Sequence, residues 1–153
     1  MTDKKIFEEK PYAPLAELSR MIAAEGCVLL KNENNVLPLD NGKTVSFFGR
    51  TQIDYNKSST GSGGLVNTEY EVNIIDGVLT NEKIKVNKEL LEVYKEWIKE
   101  NPFDKGSGWA TEPWCQKEMV PSQRVVEAAR EKSDTAVIII GRTAGEGTIP
   151  HFV

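Results

Sequence analysis

Glu146 is the residue whose surroundings most favour chemistry. It stands between Gly145 and Gly147, a few residues after the apolar run Ala136-Val-Ile-Ile-Ile140. Flanking glycines free the backbone and let it approach a ligand closely. A carboxyl held in a partly dry loop can keep its proton near neutral pH, as a general acid must. A solvated loop glutamate is the plainer alternative. Ser62, within Gly61-Ser-Gly-Gly64, could donate a hydrogen bond to a ligand hydroxyl, or simply ride on a surface loop. No Gly-Lys-Ser or Gly-Lys-Thr follows it, so it is not a phosphate-binding P-loop. Its glycines do not fit G-x-G-x-x-G opening a helix either.

Arg50 and Arg142 each follow a glycine at the end of an apolar run. Such arginines anchor anions or hold carboxylates through paired hydrogen bonds, and a structural ion pair is the simpler role. Trp109 and Trp114 lie in one irregular stretch, with Trp97 nearby. Tryptophans stack on sugar faces, but in loops they more commonly plug the edge of a core. Leu90, Tyr94 and Trp97 read as packing residues.

The elements that must position these groups follow from periodicity and punctuation. Residues 1–13 form a polar lead-in, and residues 14–153 one domain. Leu15, Leu18 and Ile22 recur at helical spacing, with Arg20 on the other side, and Gly26 ends that helix. Cys27-Val-Leu-Leu-Lys-Asn32 reads as a short strand. After a turn at Glu33-Asn-Asn35, Pro38 confines Val36-Leu-Pro-Leu39 to an edge or an irregular extended segment. Asp40-Asn-Gly42 is a turn, and Thr44-Val-Ser-Phe-Phe48 a buried strand. A polar loop over 50–66 leads to a short helix around Val72, Ile75 and Leu79. Ile84-Lys-Val86 is a small strand, and Asn87 caps the next helix, lined by Leu90, Tyr94, Trp97 and Ile98. Residues 101–119 are irregular. Pro121 opens a last helix with Val125, Ala128 and Ala129 on its apolar face, and Ser133-Asp134 ends it.

Ala136–Ile140 reads as a strand buried on both faces, as in a parallel sheet. The succession predicts an α/β layered sandwich with a mostly parallel sheet. Thr44–Phe48 and Ala136–Ile140 are expected as adjacent central strands. Each ends in Gly-Arg, so both following loops should lie at one rim, where open α/β sheets bind ligands.

Composition narrows the classes of function. The chain has 153 residues, 39% hydrophobic and 27% charged, with a net charge of −4. An acidic balance without basic clusters argues against a nucleic-acid partner and against a membrane-surface patch. No apolar run approaches the ~20 residues of a membrane span. The charged start lacks the apolar core of a secretory signal, so a cytoplasmic location is expected. Cys27 and Cys115 are expected to be free thiols. His151 is the one histidine, too few for a His-rich zinc site. No cofactor or metal is expected.

Several of these motifs together resemble glycoside hydrolase family 3. Glu25-Gly-Cys-Val-Leu-Leu-Lys-Asn-Glu-Asn-Asn-Val-Leu-Pro-Leu39 is similar to the segment that opens the family's α/β sandwich domain. Thr44–Arg50 resembles the strand after it, Gly61-Ser-Gly63 the family's Gly-Ser-Gly loop, and Val137–Gly147 its strand and Gly-Glu-Gly loop. The resemblance covers about residues 13–147 and implies a retaining β-glycosidase, β-glucosidase-like, acting on a β-glycoside or oligosaccharide. It implies a nucleophilic aspartate on a separate barrel domain. Glu146 would be the acid/base, and Ser62 would contact the sugar. Retention needs two carboxyl groups ~5–5.5 Å apart, and only one is convincing here.

The family pattern continues beyond Gly147 for longer than this chain does. The expectation is therefore a partial sandwich domain, at the N-terminal side of its missing barrel and inactive alone. An unpaired sheet edge would then favour self-association. A non-catalytic carbohydrate- or protein-binding α/β module is the alternative. A nucleotide- or phosphate-binding domain is disfavoured by the failed glycine patterns and the acidic balance.

Overall fold

Thr44–Phe48 (β1) is the centre of the sheet because its side chains can be buried from both sides. Val45, Ser46 and Phe47 are all buried. A computed structural model describes residues 13–55, 70–108 and 111–142. The chain divides into two compact units, Met1–Leu39 and Asp40–Val153.

In the first unit, Ala13–Glu25 forms α1, and the Gly26 N–H closes it on the Ile22 carbonyl at 2.9 Å. Its stripe Leu15, Leu18 and Ile22 is exposed. Arg20 pairs instead with Glu17. The strand expected at Cys27–Asn32 does not form. A strand exists only through a ladder partner, and this segment has none among the described residues; Val28 and Leu30 are exposed. The Glu33–Asn35 turn does form, with Asn34 and Asn35 at positive φ. The Asn32 side chain fastens it at both ends of one amide: Nδ2 donates to the Leu37 carbonyl and Oδ1 accepts from the Leu37 N–H.

The second unit holds β1, α2 (Ile74–Thr80), β2 (Lys85–Val86), α3 (Lys88–Glu100), α4 (Gln123–Lys132) and β3 (Thr135–Ile138). The sheet is wholly parallel, in the order β2-β1-β3. The α/β layer reading therefore holds. The adjacency of the two Gly-Arg strands also holds, with Phe48 opposite Ile138.

The expected position of the last strand needs correcting. β3 is an edge strand among the described residues, not a central one. Along Thr135–Ile140 exposure alternates, and Ala136, Ile138 and Ile140 are exposed. Five apolar residues in a row specify a strand that can be buried on both faces. They do not guarantee that anything covers the second face. Two smaller corrections concern α4. Ser122 is its cap and Pro121 lies one residue outside it, while Ala128 is exposed and Ala129 carries the burial.

Three helices begin at side-chain caps: Asn73 accepts from the Asp76 N–H, Asn87 from Leu90 and Ser122 from Val125. Asn87 also donates through Nδ2 to Ser46 Oγ at 2.9 Å, and Ser46 Oγ meets Ser133 Oγ at 2.6 Å. One buried hydroxyl on β1 thus joins the start of α3 to the end of α4. The core beside it is Leu90, Tyr94, Met119 and Ala129, with Phe48, Ile53, Trp97 and Val125 packed against it.

Tyr94 is 1% exposed, and its hydroxyl accepts the Gly49 N–H at 2.9 Å. Burial raises its pKa above the ordinary 10.0; the Gly49 bond opposes this and the nearby Glu118 charge adds to it. An unfolded tyrosine loses its proton at lower pH than the folded one. This group's stabilisation is therefore intact below pH 10.0 and is lost as pH rises through the raised folded value. Denaturant unfolding across alkaline pH should show that decline, and Tyr94→Phe should remove it. The same variant should cost about 1–3 kcal/mol at neutral pH by leaving the Gly49 N–H without its acceptor.

Candidate functional site

The rim above β1 and β3 is built around two glycines. Gly49 has φ +105°, a conformation that L side chains rarely adopt, and a Cβ there would overlap the Ile139 carbonyl. A Cβ on Gly141 would overlap the Thr51 hydroxyl. Between these points the Ile139 N–H donates to the Phe48 carbonyl at 2.8 Å. The two strand ends are therefore brought together backbone to backbone, and their loops leave from one place.

Arg50 does not face solvent there. It is 2% exposed, and its guanidinium is held by neighbouring parts of the chain. Its Nε and Nη2 both donate to Asp54 Oδ2, at 3.2 and 2.6 Å. Nη1 donates to the Lys117 carbonyl at 2.8 Å and Nη2 also to the Asn101 carbonyl at 2.9 Å. The guanidinium lies 5.4 Å from the centre of the Trp97 ring. Both carboxylate oxygens of Glu118 accept the Arg50 main-chain N–H, and Glu118 Oε1 also takes the N–H of Met119. The structural ion pair expected for Arg50 is what the fold contains, and Trp97 packs beneath it.

Asp54, Glu118 and Thr51 were not singled out by residue type. The spacing Arg50-x-x-x-Asp54 was the available signal, since residues four apart face each other along a helical turn. Gln52 was equally invisible. It is 1% exposed and donates through Nε2 to the Phe47 and Gly49 carbonyls, bracing the bend after β1.

Arg142 behaves differently from Arg50. Its guanidinium lies over the Trp114 ring, 4.6 Å from the centroid. Trp114 is partly exposed, so it does not plug a core edge as expected. Both residues line a cavity of about 260 Å³, together with Asp54, Tyr55, Glu118 and Ile139–Gly141. Cys27 and Cys115 are free and exposed. Among the described residues no three His, Cys, Asp or Glu side chains cluster as metal ligands, and no helix is long and apolar enough to cross a membrane. Glu146, Ser62, Trp109 and His151 lie outside the described residues.

Residues 27–149 match the family profile of the glycosyl hydrolase family 3 C-terminal domain. The chain is 50% identical over 130 residues to a β-glucosidase of Ruminococcus albus, covering 85% of this chain and 14% of that protein. A crystal structure of a β-glucosidase from Paenibacillus barengoltzii superimposes with a TM-score of 0.87 at 56% identity, covering 91% of this chain and 15% of that one. The complex of β-glucosidase 3B from Thermotoga neapolitana with glucose gives a TM-score of 0.77 at 30% identity, covering 90% and 19%. The chain thus spans roughly a seventh to a fifth of the length of these relatives.

Replacing Arg50 by Met should destabilise the chain by about 3–5 kcal/mol, because Asp54 loses its counter-charge and two carbonyls lose their donor. Arg50→Lys should recover only part of that, since one ammonium cannot reproduce the planar set of donors. Denaturant midpoints of the three proteins test the ranking.

Proposed function

Because this chain belongs to glycosyl hydrolase family 3, matching its C-terminal domain, we propose that it supplies the general acid/base of a retaining β-glucosidase. The observation that carries the reading is the parallel pairing of β3 with β1. It puts Arg142, the last described residue before Glu146, beyond the carboxyl ends of the strands, where α/β sheets bind ligands. Glu146 follows Arg142 by four residues, at most about 14 Å of extended chain. The relatives named β-glucosidases support the substrate class.

In this reading Glu146 protonates the glycosidic oxygen as the bond to the leaving group breaks. It then takes a proton from the water that releases the sugar. The attacking carboxylate belongs to a barrel domain outside this chain. Ser62 donates a hydrogen bond that helps to seat the sugar. The division suits a reaction that needs two carboxyl groups in different protonation states, since two separate walls of one cleft can hold them in different surroundings.

Two outcomes are expected. The 153-residue chain alone should not hydrolyse aryl β-glucosides, because the covalent route needs the nucleophile; turnover by the pure chain would contradict this. In the complete enzyme, Glu146→Ala should lower kcat for a poor leaving group by about 10²–10⁴-fold, the usual contribution of a positioned acid. Wild-type activity in that variant would refute the assignment.

Among the described residues β3 lies at an edge of the sheet, with Ile138 and Ile140 largely open, which also supports self-association of the isolated chain. Sedimentation should detect concentration-dependent species; a monomer at every concentration would exclude it.

A further inference from the structure

We propose that Asn41 is a modification site, where the side-chain amide is lost by reaction with the main-chain nitrogen of Gly42, and that the folded chain holds this reaction back through the Lys83 carbonyl. The site lies just before β1, at the opposite end of the strand from Gly49 and the rim.

The residue pair comes first. Of the chain's asparagines only Asn41 precedes a glycine. The carboxamide carbon of an asparagine can close a five-membered ring with the nitrogen of the next residue. A side chain on that next residue crowds the approach, and glycine has none. Asn41 and Gly42 are both exposed, and a Cβ on Gly42 would meet nothing within 4 Å. Open space therefore surrounds the reacting groups.

The chemistry balances with water alone. The Gly42 nitrogen gives up its proton and attacks Asn41 Cγ. The new C–N bond closes a succinimide, the Cγ–Nδ2 bond breaks, and the departing nitrogen leaves as ammonia with that proton. Water then adds to either ring carbonyl and breaks its bond to nitrogen. Opening on one side gives aspartate. Opening on the other gives isoaspartate, whose main chain runs through the former side chain and is longer by one carbon. Nothing is oxidised or reduced.

The fold supplies the restraint. The Gly42 N–H donates to the Lys83 carbonyl at 2.6 Å, a short bond for an amide. To react, the nitrogen must lose this proton and turn towards Cγ, so the bond must first open. Gly42 is held at φ +82°, and the Lys43 N–H meets the Asp40 carbonyl at 3.4 Å across the same turn. The acceptor is placed in its own right. Asn81 Oδ1 accepts the Lys83 N–H at 3.2 Å, and the Lys85 N–H donates to the Lys43 carbonyl at 2.8 Å. Two surface turns thus guard one nitrogen between them.

The same bonds set the consequence. β1 and β2 begin directly after these turns, with Thr44 opposite Lys85. An added main-chain carbon at position 41 displaces Gly42 from Lys83 and frays the start of that pairing. Aspartate at 41 changes the charge alone.

The test incubates the whole chain at mildly alkaline pH, folded in buffer and unfolded in concentrated guanidinium chloride. Peptide mapping by mass spectrometry follows each asparagine. In the unfolded chain Asn41 should convert ahead of every other asparagine, and Gly42→Ala should slow it. In the folded chain Asn41 should convert at least about tenfold more slowly. Asn81→Ala, an exposed substitution that removes the support of Lys83, should raise the folded rate by about fivefold, the scale of one hydrogen bond, and leave the unfolded rate unchanged. The isoaspartyl product should unfold at lower denaturant than Asn41→Asp. Equal rates in the folded and unfolded chain would overturn the guard, as would a folded rate unmoved by Asn81→Ala. Conversion of another asparagine ahead of Asn41 in the unfolded chain would overturn the site itself.

Discussion

The buried guanidinium of Arg50 is the constraint on which the rim of this domain depends. A charge withdrawn from water must be matched by partners or the fold loses several kcal/mol. Arg50 finds them in three separate stretches: the turn that follows it, the end of α3 and the irregular segment around Lys117. Satisfying one side chain therefore fixes where those stretches lie. The residue's own N–H completes the arrangement by holding the Glu118 carboxylate. The charge is thus better understood as a specifier of local geometry than as a contributor to net stability.

Close backbone approach is the second condition. Gly49 and Gly141 stand where strand ends meet a carbonyl and a hydroxyl at distances no Cβ could tolerate. Absent side chains let β1 and β3 deliver their loops side by side. Tyr94 then uses its hydroxyl on the Gly49 N–H, which locks the bend from the core side. Packing, hydrogen bonding and the special backbone angle all act on one residue at the base of the candidate cleft.

The proposed function gives the domain one wall of a site. Its relatives are several times longer, and retaining hydrolysis needs two carboxylates of opposite function. In the proposed function, Glu146 and Ser62 are this chain's share of that work.

Local patterns determined a good deal. Asn87 and Ser122 act as caps because an oxygen-bearing side chain before an apolar helical stripe accepts the orphan N–H groups wherever it occurs. Gly49 and Gly141 marked strand ends, and ordered motifs pointed to the family. Those are properties of short windows, which sequence carries directly. Tertiary structure alone decided that among the described residues β3 lies at an edge with one open face, that Cys27–Asn32 forms no strand there, and that Trp114 lines a cavity while Trp97 supports an arginine. The reason is physical: burial and pairing depend on what arrives from distant parts of the chain. Identical residue types, two Gly-Arg strand ends and two tryptophans, therefore came to opposite uses.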